Sequence, residues 1–338
     1  TLRYAYYGDD FTGSTDVLEQ LAEGGVNAVL FLREPDEKLL ARFPNVQAIG
    51  IAGDSRSRAP EWMDDHLPQV FAALQHADIV HYKTCSTFDS SPHTGSIGRA
   101  MEIGVKQFGS PAAIVVGAPH VGRYVVFGNL FANAGERVYR IDRHPTMSRH
   151  PVTPMHEADL AKHLAAQTKA RIALVPLDRM RSGEAGEAFD RVSSGADAVL
   201  FDGVEEDDLE KTGDVLLSRQ VRFAAGSSGV TRALTLAWRK TGKTTGVIEP
   251  RTVGAVERLL VVSGSCSPVT GQQIEKATES GFEAHRVDVS ALLEGDTNEE
   301  GRLIDAASAT LNGGRSCVIY SASGPLDPRD APVGDKLG

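Results

Sequence analysis

Hydrophobic positions gather in short, uninterrupted runs at 3–7, 28–32, 46–51, 79–82, 112–116, 172–175 and 198–201, with a last one near 221–224. Between most of them lie ten or more residues whose apolar positions recur every three or four places, as at 59–74, 97–108, 157–167 and 205–217. Runs without alternation suit strands buried on both faces. Strand–helix alternation predicts an α/β fold with a mostly parallel sheet and helices on both faces. The first run ends in the turn Gly8-Asp9-Asp10-Phe11-Thr12-Gly13-Ser14, and an amphipathic helix is predicted at 15–23.

Two stretches interrupt the pattern. Residues 118–154 are rich in Gly, Pro, His and Arg, with strands expected at 125–131 and 138–141 as an inserted hairpin; long irregular segments inside a domain are usually functional. Residues 239–246 read as a linker or exposed loop, which places a first domain at 1–245 and a second at 246–338. The second has a predicted strand at 258–262, a turn at 264–267, a helix at 269–280 and a strand at 317–320, a shorter α/β unit.

Composition narrows the function classes. Hydrophobic content of 41% and charged content of 24% are ordinary for a globular protein. A net charge of −10 argues against nucleic acid as a partner, since phosphate-backbone binding needs a basic surface. Cys85, Cys266 and Cys317 are widely spaced and form no C-x-x-C, so neither a disulfide framework nor a zinc site is indicated. His144, His150 and His156 recur every six residues among prolines, a loop pattern rather than a metal pattern, and no protein metal site is expected. Without a signal peptide or a long apolar run, a cytoplasmic protein with no membrane partner is expected, and a homo-oligomeric state is left open.

Candidate chemistry collects at the strand ends. Asp9 and Asp10 follow the first strand, where ligands of open α/β sheets bind. Asp10, Thr12 or Ser14 alone would serve as a helix cap, but two adjacent acids exceed what a cap requires. Asp54-Ser55-Arg56-Ser57-Arg58 follows the third strand. Lys83 and the stretch Cys85-Ser86-Thr87-Phe88-Asp89-Ser90 follow the fourth, and His120-Val121-Gly122-Arg123 follows the fifth. Late in the first domain, Gly226-Ser227-Ser228-Gly229 opens another helix. In a parallel sheet all these loops share one edge and make a crevice of acids, cations and hydroxyls. Arg suits bidentate carboxylate recognition and Lys a point charge, so a small polyhydroxylated anion is the expected ligand. In the second unit Ser263-Gly264-Ser265-Cys266-Ser267 joins a strand to a helix, with small residues that let backbone amides approach phosphate; it matches neither the P-loop nor G-x-G-x-x-G.

These residues resemble the four-carbon acid sugar kinase family. The resemblance rests on Gly8 to Ser14 with Asp16, on Tyr82-Lys83 with Cys85 to Ser90, on His150-Pro151-Val152-Thr153-Pro154-Met155 and on Ser263 to Ser267, in the expected order. Gly122-Arg123 and Gly226 to Gly229 also fit. It implies an N-terminal substrate-binding α/β domain and a C-terminal nucleotide-binding domain facing it across a cleft. The implied reaction is ATP-dependent phosphorylation, with Mg²⁺, of the terminal hydroxyl of 3-oxo-tetronate, threonate or erythronate. It further implies Asp9 and Asp10 as catalytic residues and Thr12, Arg56, Lys83, Ser86, Thr87, Asp89 and Arg123 as substrate-binding residues. Ser263, Gly264, Ser265 and Ser267 are the implied ATP contacts. Cys85 to Ser90 is most similar to the 3-oxo-tetronate kinase branch. The family's late Gly-Gly-Asp/Glu-Thr-Ser loop lies beyond residue 338, so the second domain is expected to lack its C-terminal part.

Phosphoryl transfer needs an acceptor hydroxyl placed in line and developing charge neutralised. The expected division of labour has Asp9 or Asp10 handling the hydroxyl while Arg56 and Lys83 grip the acid. Two other classes compete: a non-catalytic sugar-acid-binding protein of the same fold, and an aldolase forming a Schiff base through Lys83.

Overall fold

The computed structural model describes residues 2–150, 152–244, 246–248 and 254–324. The chain divides into two compact units, Thr1–Pro250 and Arg251–Gly338. The first runs β1 (Tyr4–Gly8), α1 (Phe11–Glu23), β2 (Ala28–Phe31), α2 (Glu37–Leu40), β3 (Ala48–Ala52), α3 (Pro60–Leu74), β4 (Ile79–Lys83), α4 (Ile97–Phe108) and β5 (Ala112–Val115). It continues with β6 (Arg123–Val126), β7 (Asn129–Ala134), β8 (Arg137–Arg140), α5 (Leu160–Ala165), β9 (Ile172–Val175), α6 (Leu177–Arg181), α7 (Ala185–Ser193), β10 (Ala198–Phe201), α8 (Glu206–Ser218), β11 (Phe223–Gly226) and α9 (Ser228–Lys240).

Eight of these strands form one sheet in the order β2-β3-β1-β4-β11-β5-β10-β9, and every pairing is parallel. The period of two along β1 divides its side chains between the two faces. Tyr4 and Tyr6 pack with Val17 and Leu21 of α1 and with residues of α8 and α9, whereas Ala5 and Tyr7 join Met63, Leu67 and Phe71 of α3 on the other side. Both faces are therefore covered, which explains why the strands read as continuous apolar runs.

Helix boundaries follow local chemistry. Asp10 caps α1 by accepting from the Gly13 amide, so the helix begins at Phe11, four residues ahead of the expected start. Pro60 occupies the first turn of α3, where a missing amide costs nothing, and Ser96 caps α4. Helix α5 is shorter than the 157–167 expected, and α7 was not anticipated.

The insert also differs from expectation. Instead of a hairpin, β6, β7 and β8 form a three-stranded antiparallel meander, because the apolar run at 125–131 turns back at Phe127 and Gly128. Both have positive φ, 46° and 75°, the arrangement of a tight hairpin turn. The Asp202 carboxylate fixes it by accepting from the Phe127 amide at 2.6 Å and the Gly128 amide at 2.8 Å. A carboxylate 74 residues away gives no local signal in the run.

The second unit runs β12 (Leu260–Ser263), α10 (Pro268–Glu279), β13 (Glu283–Arg286), α11 (Val289–Leu293), α12 (Thr297–Asn312) and β14 (Cys317–Tyr320). Its strands pair in parallel in the order β12-β14-β13. The polar sequence of β13, Glu-Ala-His-Arg, hid that strand from hydrophobicity, and α12 was likewise unanticipated.

Candidate functional site

The register of the large sheet brings the candidate loops to one level. Gly8 at the end of β1 lies opposite Ala52 of β3 on one side and Lys83 of β4 on the other; Lys83 lies opposite Gly226 of β11, and Gly226 opposite Val115 of β5. The loops after these five strands therefore leave the same edge, as a parallel sheet requires.

Asp9 is the deepest acid there. It is only 3% exposed, and its Oδ1 has no hydrogen-bond partner among the described residues. Burial, reinforced by the neighbouring Asp10 charge, pushes its carboxyl up to about 7 against the opposing pull of Arg56 and Lys83. Its backbone is pinned on both sides: its amide donates to the Lys83 carbonyl at 2.9 Å and its carbonyl accepts from the Arg56 amide at 3.1 Å.

Asp10, by contrast, has both oxygens engaged. Oδ1 accepts from the Gly13 amide at 2.5 Å and Oδ2 from Arg56 Nη1 at 2.8 Å. A Cβ on Gly13 would stand 2.8 Å from Asp10 Oδ1 and 2.9 Å from Lys83 Nζ, so a side chain there would displace the two charged groups. Cap and charge cluster are thus one structure.

Arg56 ties this turn to the loop after β4. Its Nη2 donates to both oxygens of Asp89 at 2.9 Å, while Nη1 holds Asp10. Asp89 is 3% exposed and also accepts from Thr87 Oγ1 at 2.5 Å and Thr153 Oγ1 at 2.7 Å. Burial works to raise the Asp89 carboxyl, but Arg56 and the two hydroxyls outweigh it and hold it below the ordinary carboxylate range. Phe88, wholly buried between Thr87 and Asp89, adopts φ 55°, a conformation bulky residues rarely take; its packing holds the loop in that turn.

Lys83 is buried and pairs with Asp16 Oδ2 at 3.2 Å while donating to the Thr84 carbonyl at 3.0 Å. Both contacts hold its Nζ inside the site, against Asp16 and the backbone. Arg123, at the start of β6, is half-buried. Its Nη1 rests on the carbonyls of Val121 and Gly122 at 3.0 and 3.1 Å, and its Nε is buried with no partner among the described residues. Ser86 is half-buried beside Cys85, while Thr12 is exposed on the first turn of α1.

The structure therefore joins Asp9, Asp10, Arg56, Thr87 and Asp89 into one bonded cluster, places Lys83 against it, and leaves Thr12 at its margin. Sequence reading had assigned no role to Asp16, the partner of Lys83, or to Thr153, which steadies Asp89. Both lie inside the motif segments, but nothing in the sequence says which charge or carboxylate they meet.

In the second unit, the Ser267 hydroxyl caps α10 by accepting from the Val269 amide at 3.3 Å. Ser265 Oγ accepts from the Ser267 amide at 3.1 Å and contacts Thr270 Oγ1 at the same distance. Gly264 and Ser265 are exposed, leaving a turn of small residues at a helix start, the kind of place where phosphate oxygens meet backbone amides. Among the described residues no group of three or more His, Cys, Asp or Glu could hold a metal ion, and no helix is long and apolar enough to cross a membrane.

Comparison with known proteins adds independent information. Residues 4–234 match the family model described as a sugar-binding N-terminal domain, and residues 260–337 match the one described as a nucleotide-binding C-terminal domain. The 3-oxo-isoapionate kinase of Paraburkholderia graminis is 46% identical, the match covering 97% of this chain and 71% of that protein. The 3-oxo-tetronate kinase of Pseudomonas savastanoi pv. phaseolicola is 28% identical, covering 94% and 72%. A solved structure from Salmonella typhimurium LT2, described as a tRNA synthase, is similar with a TM-score of 0.74 at 26% identity, over 99% of this chain and 78% of that one.

Proposed function

The chain belongs to the four-carbon acid sugar kinase family and is a sugar-acid kinase, and from that premise we propose that it transfers the γ-phosphoryl group of ATP to the terminal hydroxyl of a 3-oxo sugar acid. The first acceptor to test is 3-oxo-isoapionate, the acid named for the relative at 46% identity; 3-oxo-tetronates come next, followed by threonate and erythronate.

The observation that carries the reading is Asp9: a buried carboxylate at a strand end, one oxygen without a partner, its proton affinity raised to about 7. A general base works best when its pKa lies near the operating pH. Asp10 is less suited, because both its oxygens are committed to the Gly13 amide and Arg56. On this reading Asp9 Oδ1 accepts the proton of the acceptor hydroxyl. The hydroxyl oxygen forms the new bond to the γ-phosphorus, and the bond to the bridging oxygen breaks to release ADP. Arg56 keeps Asp10 and Asp89 fixed, so the cluster does not rearrange as charge shifts.

The second unit is read as the nucleotide side, with the amides of the Ser263 to Ser267 turn and the start of α10 taking phosphate oxygens. Mg²⁺, bound as a rule through one or two carboxylates and substrate phosphates, would neutralise phosphate charge.

The test is ADP release in a coupled assay with ATP and Mg²⁺ across 3-oxo-isoapionate, 3-oxo-tetronates and the D and L forms of threonate and erythronate. Acceptor-dependent ADP release with a 3-oxo acid leading the panel is expected. ADP release that ignores the acceptor, or none with any acid, would overturn the reading.

A further inference from the structure

At the opposite edge of the large sheet from the acidic turn lies a cavity of about 450 Å³, under the starts of the adjacent strands β1, β4 and β11. Cavities of this size commonly hold small molecules. Its floor is apolar, formed by the buried side chains of Ile79, Leu216, Val221 and Trp238. Charged residues line it unevenly, with Arg3, Arg222 and Lys243 against the single carboxylate of Asp78. Along an extended chain rising about 3.3 Å per residue, Arg3 stands roughly 20 Å from Asp9, so the cavity is separate from the crevice.

What sets these cations apart is the lack of a counter-ion. Close by in the chain, Arg219 at the end of α8 pairs with Asp190, and Lys240 at the end of α9 pairs with Glu210 and Asp214. Among the described residues none of Arg3, Asp78, Arg222 and Lys243 forms an ion pair. Arg3 Nη1 donates to the Lys243 carbonyl at 2.8 Å, which fastens one cation to the residue that carries the next. The Lys243 amide donates to the Trp238 carbonyl at 2.9 Å, so the turn that carries it is fixed beside the cavity floor. Arg222 Nη2 covers the carbonyls of Gln75 and Ala77, just beyond α3, at 3.0 and 3.3 Å. A guanidinium has five donors, and each arginine spends a single nitrogen on these contacts. Like charges brought together without a counter-ion, in a chain of net charge −10, favour an anion between them.

We propose that this cavity binds a phosphate monoester of a small hydroxylated molecule, outside the crevice and independently of the sugar-acid kinase reading. The phosphate dianion sits between the Arg3 guanidinium and the Lys243 ammonium, the arginine giving paired donors and the lysine a point charge. Arg222 adds a third positive charge at a neighbouring strand start. Asp78 and Gln220, in the same lining, accept hydrogen bonds from hydroxyls. A free phosphate ion fills only part of about 450 Å³, and the apolar floor suits the carbon part of an ester better than it suits water.

Trp238 reports on the cavity directly. In a Trp62→Phe background it is the one remaining tryptophan, and its emission is followed as glycerol 3-phosphate, inorganic phosphate or glycerol is added at constant ionic strength. A saturable change with glycerol 3-phosphate is expected, tighter than with inorganic phosphate, and none with glycerol. Lys243→Glu is expected to weaken ester binding by at least about 10-fold, the loss of one charge-assisted hydrogen bond. The exposed Lys243 side chain makes no hydrogen bond among the described residues, so this variant should fold, melting without ligand at or above the wild-type temperature. Asp9→Asn should bind the ester as the wild type does, because the crevice takes no part. An unchanged Kd in Lys243→Glu, or binding lost in Asp9→Asn, would overturn the site. Inorganic phosphate binding as tightly as the ester would overturn the ligand class. Acceptor-dependent ADP release is a separate measurement, so either reading can fail without the other.

Discussion

The turns after β1 and β12 begin alike, each leading from a strand end into a capped helix, yet they are built on opposite terms. The β1 turn hangs from a fully buried strand and is locked by side chains from three other segments: Arg56, Lys83 and, through Asp89, Thr153. The β12 turn follows a half-exposed strand, and the hydroxyls of Ser265 and Ser267 bond within the turn and to the first turn of α10. The difference matches what each is proposed to bind. A phosphate can be held by backbone amides that almost any small-residue turn supplies. A hydroxyl that must lose a proton needs a carboxylate of adjusted affinity, and that adjustment comes only from burial and fixed neighbouring charges.

The sharpest way to break this contrast is to remove the lock on the β1 side. Arg56→Met leaves Asp89 buried and unpaired and releases Asp10, so a loss of about 3–5 kcal/mol in denaturant unfolding is expected, with collapse of sugar-acid turnover. A change below about 1 kcal/mol would show the cluster to be no tighter than a surface ion pair.

Asp9→Asn is the next largest test, lowering kcat by about 10²–10⁴-fold. The wild-type rate should climb as pH rises through about 7, where Asp9 becomes a base, and the variant should lose that limb. Stability should move the other way. The folded-state affinity for a proton, at about 7, lies above the ordinary 3.8, so the stability that protonated Asp9 contributes is complete below about pH 4 and is lost as pH rises through 7. The variant should therefore equal or exceed the wild type in melting temperature at pH 8 and lose that advantage at pH 5. The same pH dependence in both proteins would sink the assignment.

The smallest effect belongs to the open turn. Ser267→Ala removes the cap of α10, costing about 1 kcal/mol, and should raise KM for ATP several-fold while leaving KM for the acid in place. A larger effect on the acid than on ATP would reverse the proposed division between the two turns.

Sequence alone determined the strand–helix alternation, the covered parallel sheet, the polar strand ends and the acidic turn, because these rest on local periodicity, capping chemistry and residue type. It did not reveal the return of the chain at Phe127 and Gly128, which a distant aspartate fixes, or β13, whose pattern is polar. Nor could it pair the charges. Arg56 with Asp89 and Lys83 with Asp16 meet because the strand order puts β1 between β3 and β4, bringing residues 33 and 67 positions apart into contact, and Thr153 reaches Asp89 from the segment after the meander. The proposed preference for Asp9 over Asp10 likewise draws on tertiary structure. The two are adjacent and identical in kind, and what separates them is that folding satisfies both oxygens of one and buries the other with an oxygen unpaired.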